Sequence, residues 1–475
     1  MKKAINYIYL LLTTYILIVV FFSNNKIYYS LRKPFVINNI ILILIMIIPL
    51  IFIIKKQINI SDEKYKKILI ILSIITFILQ IFLIYNTYFY TDWDVKTLRE
   101  IVMNNNVVKN YYLTKYPNNL LYVSILMFYK IIPIIGKHYF PLLIFNAFIV
   151  NVSGVLAALT IKRFTNNFLS LKGYFILMII TILSPWINIP YSDTFAVAIP
   201  ISIIYIYTKE TKKKIDYILI GFLSILGYYI KPTVLIVFIG IVIIYLLDLL
   251  KNKDFRIKTT KYVLLGLVVA YLFCNISIKL TGFKPVETTK PFNMIHYLAM
   301  GQNNETYGMF NLKDVEDSNL YGNRQDIDKI INRIKKRKIL GQFKFIEIKT
   351  LLNYNDGTFS WGGEGENFYE KVLAKKTKIS NLLINYFYKD YKYNYIFEII
   401  VQAFWLQVLL LMFFVELKNT EENNTIIYLS IIGITLFLTL FECRARYLYC
   451  YSPIFVTAAM IGINNLRNRF IKVEK

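Results

Sequence analysis

Apolar segments of 16 to 24 residues recur along the whole chain, and they restrict its fold more than any other feature. Each is long enough, or nearly so, to cross about 30 Å of hydrocarbon as an α-helix. A water-soluble core does not need so many, and helices satisfy their own backbone hydrogen bonds inside a bilayer. No small-residue cleavage site follows the first segment, 4–22, which favours a retained helix over a signal peptide. The sequence therefore predicts an all-α, polytopic bundle of transmembrane helices.

The net charge of +26 has two explanations, a nucleic-acid partner or the topology of a membrane protein. The distribution of lysine and arginine favours topology, because these residues gather in alternate loops. The clusters lie within 55–67, 209–214, 251–261 and 467–475. The positive-inside rule places these loops and both chain ends in the cytoplasm. We expect membrane lipids, and no nucleic acid, among the partners.

Alternation between these loops predicts about twelve or thirteen helices. Segments 120–136 and 139–161 are both apolar, yet Lys162 and Arg163 after them indicate a cytoplasmic loop. This requires an odd number of crossings, so we expect one segment to span and the other to be partly inserted. The remaining helices are predicted near 4–22, 35–54, 67–90, 171–187, 193–207, 216–231, 233–250, 262–280, 396–416, 425–442 and 447–463.

This topology places the unusual polar groups on one side of the membrane. The chain divides into an N-terminal transmembrane module, 1–280, with an external loop at 91–119, an external insert, 281–394, and C-terminal helices, 395–475. Separate loops thus bring acids, cations and aromatic residues to a single face, where they can assemble one site. A transporter would distribute such groups towards the membrane midplane.

Two carboxylates lie where the third apolar segment leaves the membrane. Asp92 and Asp94 flank Trp93, and a carboxylate in this position is a candidate proton acceptor. A second explanation for one of the two is the N-cap of an amphipathic helix beginning near Val95.

A turn of sequence Tyr-Pro-Asn-Asn, 116–119, precedes the next helix. Tyr116 fits either a binding site or the aromatic belt of the membrane interface. Asn118 and Asn119 are candidate binding residues in the turn itself.

Charged residues in other external loops are candidates to bind an anion. Arg444 and Arg446 lie at the mouth of a helix, where they bind a lipid phosphate or anchor the helix end by snorkelling. Lys231, between two closely spaced helices, is a second phosphate ligand or a lysine reaching for the interface. Asp193 is a site acid or a helix N-cap.

The insert is too long to be a simple connection and is expected to form a lid or a small subdomain. His296, near its start, is either structural or a binding residue. Residues 326–340 have isoleucines on one helical face and cations opposite, which predicts an amphipathic helix on the outer leaflet. Residues 355–370 predict a flexible, lid-like loop or a solvated turn. Its candidate residues are Asp356, Trp361, Glu364 and Glu366.

Together these motifs resemble bacterial GT-C glycosyltransferases, which are polytopic enzymes related to protein O-mannosyltransferases and to the aminoarabinose transferases of lipid A. The resemblance covers most of the chain. It depends on the acidic external loop, the Tyr-Pro-Asn-Asn turn and the Arg-x-Arg-Tyr sequence at 444–447. It implies that Asp94, or failing that Asp92, is the general base. Asp193, after a Ser-Pro step, resembles a recurrent acidic position of the same superfamily.

The resemblance also implies a reaction. A polyprenyl-phosphate sugar on the outer face of a bacterial cytoplasmic membrane donates its sugar, with inversion, to a hydroxyl of a glycan, lipid or protein acceptor. Phosphate is already a good leaving group, so one base and a cationic clamp suffice, without a second carboxyl as acid. No cofactor or metal is expected, and the three cysteines, Cys274, Cys443 and Cys450, lack zinc-site spacing. The alternative class is a lipid-linked glycan flippase, polymerase or polysaccharide transporter, which needs charged groups inside the bundle.

Overall fold

A computed structural model shows an all-α protein. It describes residues 2–22, 39–55, 58–132, 138–252, 257–321, 323–361, 373–375, 377–388, 391–417 and 422–473. The predicted polytopic helical fold is confirmed, since six described helices are long and apolar enough to cross a membrane. These spans are Lys3–Phe22, Asp62–Thr87, Phe140–Phe164, Pro232–Leu250, Thr259–Leu280 and Asn394–Met412, and shorter apolar helices occupy Asn167–Ile182, Ser192–Tyr207 and Asn424–Leu440.

The helices are numbered in chain order. They are α1 (Lys2–Phe22), α2 (Asn39–Lys55), α3 (Asp62–Thr87), α4 (Trp93–Met103), α5 (Tyr111–Lys115), α6 (Leu120–Ile131), α7 (Phe140–Phe164), α8 (Asn167–Leu177), α9 (Ser192–Ala196), α10 (Ala198–Tyr207), α11 (Lys214–Ile230), α12 (Leu235–Asn252), α13 (Ile257–Leu280), α14 (Met294–Gly301), α15 (Leu312–Tyr321), α16 (Asn323–Tyr354), α17 (Lys378–Phe387), α18 (Asn394–Met412), α19 (Glu422–Leu440), α20 (Arg446–Tyr449) and α21 (Ser452–Val473).

The ambiguous region after residues 91–119 contains one long and one short helix. The 25-residue α7 is long enough to span the bilayer, whereas α6 has 12 residues. At 1.5 Å per residue, α6 covers only about 18 Å, well short of the hydrocarbon thickness. This difference in length fits one crossing and one partial insertion.

Both ends of the described chain lie at the same end of the bundle. The Asn6 side-chain amide donates to the Glu416 carbonyl at 3.1 Å, and Arg469 Nη2 donates to the Val415 carbonyl at 2.6 Å. The beginning of α1 and the end of α21 therefore meet beside the segment that follows α18, as expected when both lie on one side of the membrane.

The outer helices α3 and α13 show why the bundle must be surrounded by lipid and not by water. On α3 the isoleucines 70, 71, 74, 75 and 78 are each about half exposed, between 48% and 59%. Leucine and valine side chains of α13 are exposed to a similar extent. Apolar surface of this size is stable against acyl chains and is costly in water.

The described part of segment 281–394 is largely helical, and one of its predicted loops lies in a different environment. The predicted amphipathic segment forms part of α16, where Ile327, Ile331 and Ile334 are exposed and Lys338 breaks the helix with φ 51°. Residues 355–361, expected to be a solvent-facing loop, are instead buried inside the bundle.

Other protein groups form the hydrogen bonds that water would otherwise form with the polar atoms of residues 355–361. This explains why the prediction of a solvent-facing loop was wrong. Gln402 accepts from the Gly357 amide at 2.8 Å, and the Trp186 indole donates to the Thr358 carbonyl at 3.0 Å. The Asp356 carboxylate accepts the amides of Thr358 and Ser360 at 2.8 and 2.9 Å. Glu364 and Glu366 lie outside the described residues.

Helices α11 and α13 pack through two glycines. A Cβ on Gly266 would lie 2.0 Å from the Ile218 carbonyl oxygen, and one on Gly221 would lie 2.2 Å from that of Val263. Since both neighbours are backbone atoms, neither can rotate away. Small residues at such crossings allow helices to approach closely in a membrane.

We predict that Gly266→Ala destabilises the protein by about 1–3 kcal/mol, because α11 and α13 must separate to accept the methyl group. Thermal unfolding of the purified protein in detergent measures the change. Gly341→Ala is the matched control, because a Cβ there lies 3.5 Å from its nearest neighbour. An unchanged melting temperature for Gly266→Ala would contradict the packing described.

Candidate functional site

The centre of the site is the carboxylate of Asp94, in the first turn of α4. Tyr112 Oη donates to Asp94 Oδ1 at 2.5 Å, and Tyr191 Oη donates to Oδ2 at 2.9 Å. The Tyr191 hydroxyl also lies 3.2 Å from Asn119 Oδ1. Asp94 is only partly buried. Its carboxylate is thus oriented by two phenols and remains accessible.

The backbone separates the two aspartates that flank Trp93. Trp93 has φ 61°, in the left-handed region that a non-glycine residue adopts only at a cost of about 1–3 kcal/mol. Asp94 points towards the phenols, whereas the Asp92 carboxylate is 34% exposed and lies 3.7 Å from Lys96 Nζ. Asp92 occupies the N-cap position without a side-chain capping hydrogen bond. The structure therefore brings Asp94, and not Asp92, into the cluster.

A buried group of one carboxylate and two cations lies beside it. Asp193, in α9, and Lys231, at the end of α11, are 5% and 6% exposed and form an ion pair through Asp193 Oδ1. Arg446 Nε, at the start of α20, lies 3.6 Å from Asp193 Oδ2. With all groups charged, this triad and the neighbouring Asp94 carry two positive and two negative charges. Ammonium and guanidinium groups are suited to bind an oxyanion through charge-assisted hydrogen bonds.

Two residues join the triad to Asp94. Trp93 lies under the Arg446 guanidinium, with 5.5 Å between its ring centroid and Cζ. Tyr191, which donates to Asp94, precedes Asp193 by two residues. The carboxylate and the cationic triad are therefore neighbouring parts of one site.

The two arginines of the Arg-x-Arg sequence have different partners. Arg444 Nε lies 3.1 Å from Glu442 Oε1, and its guanidinium carbon lies 5.6 Å from the ring centroid of Phe310 in the insert. Arg446 faces Asp193. Only Arg446 contributes to the triad.

Aromatic rings extend the site towards the insert. The rings of Tyr112 and Tyr116 are 4.9 Å apart, and Tyr116 is followed by Phe292 at 5.2 Å. Burial, and then the charge of Asp94, raise the pKa of Tyr116 to about 12 and that of Tyr112 further. Both phenols therefore keep their protons at neutral pH and act as hydrogen-bond donors.

The other predicted binding residues lie apart from Asp94. Asn118 is exposed on its turn. His296 is buried in α14, where it stacks on Phe292 at 4.1 Å. Trp361 is 2% exposed, and its indole donates to the Phe387 carbonyl at 2.7 Å, so it packs in the core and is not presented to a ligand.

The turn after α19 is attached to the insert. The buried Lys349 ammonium donates to the carbonyls of Gly301 and Phe441, both at 2.7 Å. These carbonyls lie at the ends of α14 and α19, where the helix dipole favours a cation. The Cys443 amide donates to the Gly308 carbonyl at 2.9 Å. The insert therefore positions the chain that leads into α20.

The sequence analysis did not identify Tyr191 as a site residue, and it gave Tyr112 and Trp93 no role in the site. In the sequence, Tyr191 attracts notice only as part of residues 184–193, which end at Asp193. Tyr112 resembled an ordinary interfacial tyrosine. No local pattern shows that residues 94 and 191 are hydrogen-bonded, because 97 positions separate them.

The comparisons with known proteins agree with the fold and name no reaction. A family model described as a conserved hypothetical integral membrane protein matches residues 1–466. The chain belongs to this family and is an integral, multi-pass membrane protein. No curated protein and no solved structure is significantly similar to it.

We predict that Lys231→Met destabilises the protein by about 3 kcal/mol, because it removes the nearer cation from a buried carboxylate. Combining it with Asp193→Asn is expected to restore only part of the loss, since the buried Asp193 charge is removed but Arg446 then loses its ion pair with Asp193. Unfolding in denaturant with detergent present measures both.

Lys67→Met is the control for this experiment. Lys67 pairs with Glu63, and both side chains are at least 70% exposed. Its loss should change stability by less than about 0.5 kcal/mol. Equal effects of the two lysine substitutions would contradict a buried, structurally coupled triad.

Proposed function

We propose that this membrane protein is an inverting glycosyltransferase. It moves a sugar from a polyprenyl-phosphate donor to an acceptor hydroxyl on the outer face of a bacterial cytoplasmic membrane. The observation that supports this proposal most is the position of the partly exposed Asp94 beside a triad in which two cations, Lys231 and Arg446, face Asp193. A proton acceptor and an anion-binding group are the two parts that the reaction requires.

Asp94 acts as the general base. The acceptor O–H loses its proton to Asp94 as its oxygen attacks the anomeric carbon, and the bond from that carbon to the phosphate oxygen breaks. The electron pair leaves with the phosphate. Attack opposite the leaving group inverts the configuration. Hydrogen bonds from Tyr112 and Tyr191 hold the carboxylate in one orientation, which reduces the entropy lost in reaching the transition state.

Arg446 and Lys231 stabilise the departing phosphate. Guanidinium and ammonium groups form charge-assisted hydrogen bonds with phosphate oxygens, and these strengthen as negative charge develops there. Asp193 contacts both groups and keeps both cations in place. Trp93, under Arg446, limits the guanidinium to one side of the site.

The partners follow from this chemistry. The donor is a lipid, so it reaches the site from the membrane, and membrane lipids surround the bundle. The acceptor is a hydroxyl of a glycan, a lipid or a protein. The reaction itself needs neither a nucleotide on this side of the membrane nor a metal to activate the leaving group. Nucleic acid has no role.

We predict that Asp94→Asn lowers transfer by about 10²–10⁴-fold, because the amide cannot take the acceptor proton. Asp92→Asn, its matched control, should retain activity within a few fold, since Asp92 faces Lys96. The assay measures transfer of labelled sugar from polyprenyl phosphate by the full-length protein in nanodiscs.

Both variants must have the same melting temperature as the parent protein within error, so that any loss of transfer does not result from unfolding. Full activity of Asp94→Asn would overturn the proposal. Movement of the labelled lipid between leaflets without transfer of the sugar would favour the flippase alternative instead.

We also predict that Asp92→Cys reacts with a membrane-impermeant thiol reagent in intact cells, because the site lies on the outer face. The background should be low, since Cys274, Cys443 and Cys450 are all buried. The parent protein is the control. Labelling that appears only after the cells are broken would place the site in the cytoplasm and would contradict an extracytoplasmic reaction.

A further inference from the structure

We propose that the aromatic row beside Asp94 ends in a second binding subsite, formed by Lys115, Phe292 and His296, for a hydroxyl-rich ligand that carries a negative charge. This assignment rests on the proposed function, because it makes the ligand the acceptor substrate of the transferase. It names the chemical class of that acceptor.

The row of rings is continuous and partly exposed. It runs from Tyr112 to Tyr116 over 4.9 Å, to Phe292 over 5.2 Å and to the imidazole of His296 over 4.1 Å. Tyr112, Tyr116 and Phe292 each expose part of their surface, whereas His296 is buried at the far end. Aromatic faces with a few fixed polar groups are typical of ligand sites.

Two hydrogen bonds donated by backbone amides hold the two sides of the subsite together. The Phe292 amide donates to the Lys115 carbonyl at 3.0 Å, and the Val286 amide donates to Thr114 Oγ1 at 3.0 Å. The beginning of the insert is thus fixed to α5, the helix that precedes the Tyr-Pro-Asn-Asn turn. The backbone positions of Lys115 and Phe292 are therefore fixed without a ligand.

His296 presents a hydrogen-bond acceptor. The Ser318 hydroxyl donates its single proton to Asp326 Oδ1 at 2.7 Å, so it accepts from His296 Nδ1–H at 2.8 Å. A neutral imidazole protonated at Nδ1 has its lone pair on Nε2. Within the described part of the chain, this buried Nε2 has no hydrogen-bond partner. It is therefore able to accept a hydrogen bond from the hydroxyl of a ligand that displaces the side chains covering it.

The neutral state of His296 is stable over the physiological range. Burial lowers its pKa to about 4, and Lys329 and Lys115 act in the same direction, against Asp326 and Asp314. Above pH 5 the imidazole is therefore an acceptor at Nε2 and does not become a second donor.

Lys115 supplies the positive charge. It is 7% exposed, and its ammonium lies 5.0 Å from the Phe292 ring centroid and 5.8 Å from that of Tyr111. No carboxylate of the residues described lies within 4 Å of it. Contact with two rings offsets only part of the cost of burying an ammonium, because buried charges are usually paired.

The acids near this subsite already have partners. Asp314 pairs with Arg333 at 2.6 Å and accepts from Asn303 at 2.8 Å, and Asp326 accepts from Ser318. None of these contacts neutralises Lys115. A ligand that donates a hydroxyl to His296 and places a carboxylate or phosphate near Lys115 satisfies both groups. Acidic oligosaccharides and polyol phosphates share this chemistry.

Nitrogen-15 NMR of the full-length protein in nanodiscs tests the site directly. The chain has two histidines, and His138 is exposed, so histidine labelling in a His138→Gln background reports on His296 alone. We expect a neutral imidazole protonated at Nδ1 that does not titrate between pH 5 and 8. Addition of oligo(glycerol phosphate) or oligoglucuronate should shift the Nε2 signal, and uncharged malto-oligosaccharide should not.

Substitution of Lys115 tests the charge. Lys115→Met should weaken binding of the charged probe by about tenfold or more, because a charge-assisted contact is lost. Lys109→Met, in the same loop but exposed, is the matched control and should bind normally. Whichever charged probe shifts Nε2 at the lower concentration identifies the source of the anion.

Asp94→Asn separates this inference from the proposed function. Binding in that variant should persist while transfer is lost. Equal binding of charged and uncharged probes, an unshifted Nε2 signal, or unchanged affinity in Lys115→Met would overturn the subsite and leave the assignment of the base intact. Binding without any transferase activity in the parent protein would overturn the proposed function and leave the subsite.

Discussion

The ion pair between Asp193 and Lys231 is the interaction on which the geometry of the site depends. It joins α9 to the junction of α11 and α12, and Arg446 adds the start of α20. Three segments that are distant in the sequence thus meet at one carboxylate. Removing water from these charges is costly, so the arrangement is stable only if all three remain in register. Tyr191 precedes Asp193 by two residues, so the position of the phenol that contacts Asp94 follows from the same pair.

A second constraint acts from the opposite side, through the backbone of Trp93. Its left-handed conformation orients Asp94 towards Tyr112 and Tyr191 and places its own ring under Arg446. Strained residues persist where surrounding contacts determine their conformation, and they are common at functional sites. The two constraints together explain how the segment that begins α4 keeps a carboxylate next to a cationic group that belongs to other helices.

The long helices could be predicted from the sequence because their apolar length permits little else. The segment expected at 139–161 is a helix at Phe140–Phe164, and that expected at 67–90 begins at Asp62 and ends at Thr87. The candidate residues Asp94, Asn119, Asp193, Lys231 and Arg446 do come together. Their pairing could not be derived, because contacts across many helices leave no periodic pattern. The segment 355–361 was misjudged because polar and glycine-rich composition indicates water only when the surrounding helices offer no hydrogen bonds, and here Gln402 and Trp186 do.

The attachment of the insert to the turn after α19 affects how proteins of this family can diverge. Gly308 has φ +82°, and a Cβ there would lie 2.4 Å from the Gly301 carbonyl oxygen and 2.7 Å from Lys349 Nζ. The fit leaves no space for a side chain and depends on carbonyls from both α14 and α19. An insert taken from a related protein would therefore fit only together with the 440–443 turn of that same protein. The insert and that turn are accordingly expected to be inherited as one unit.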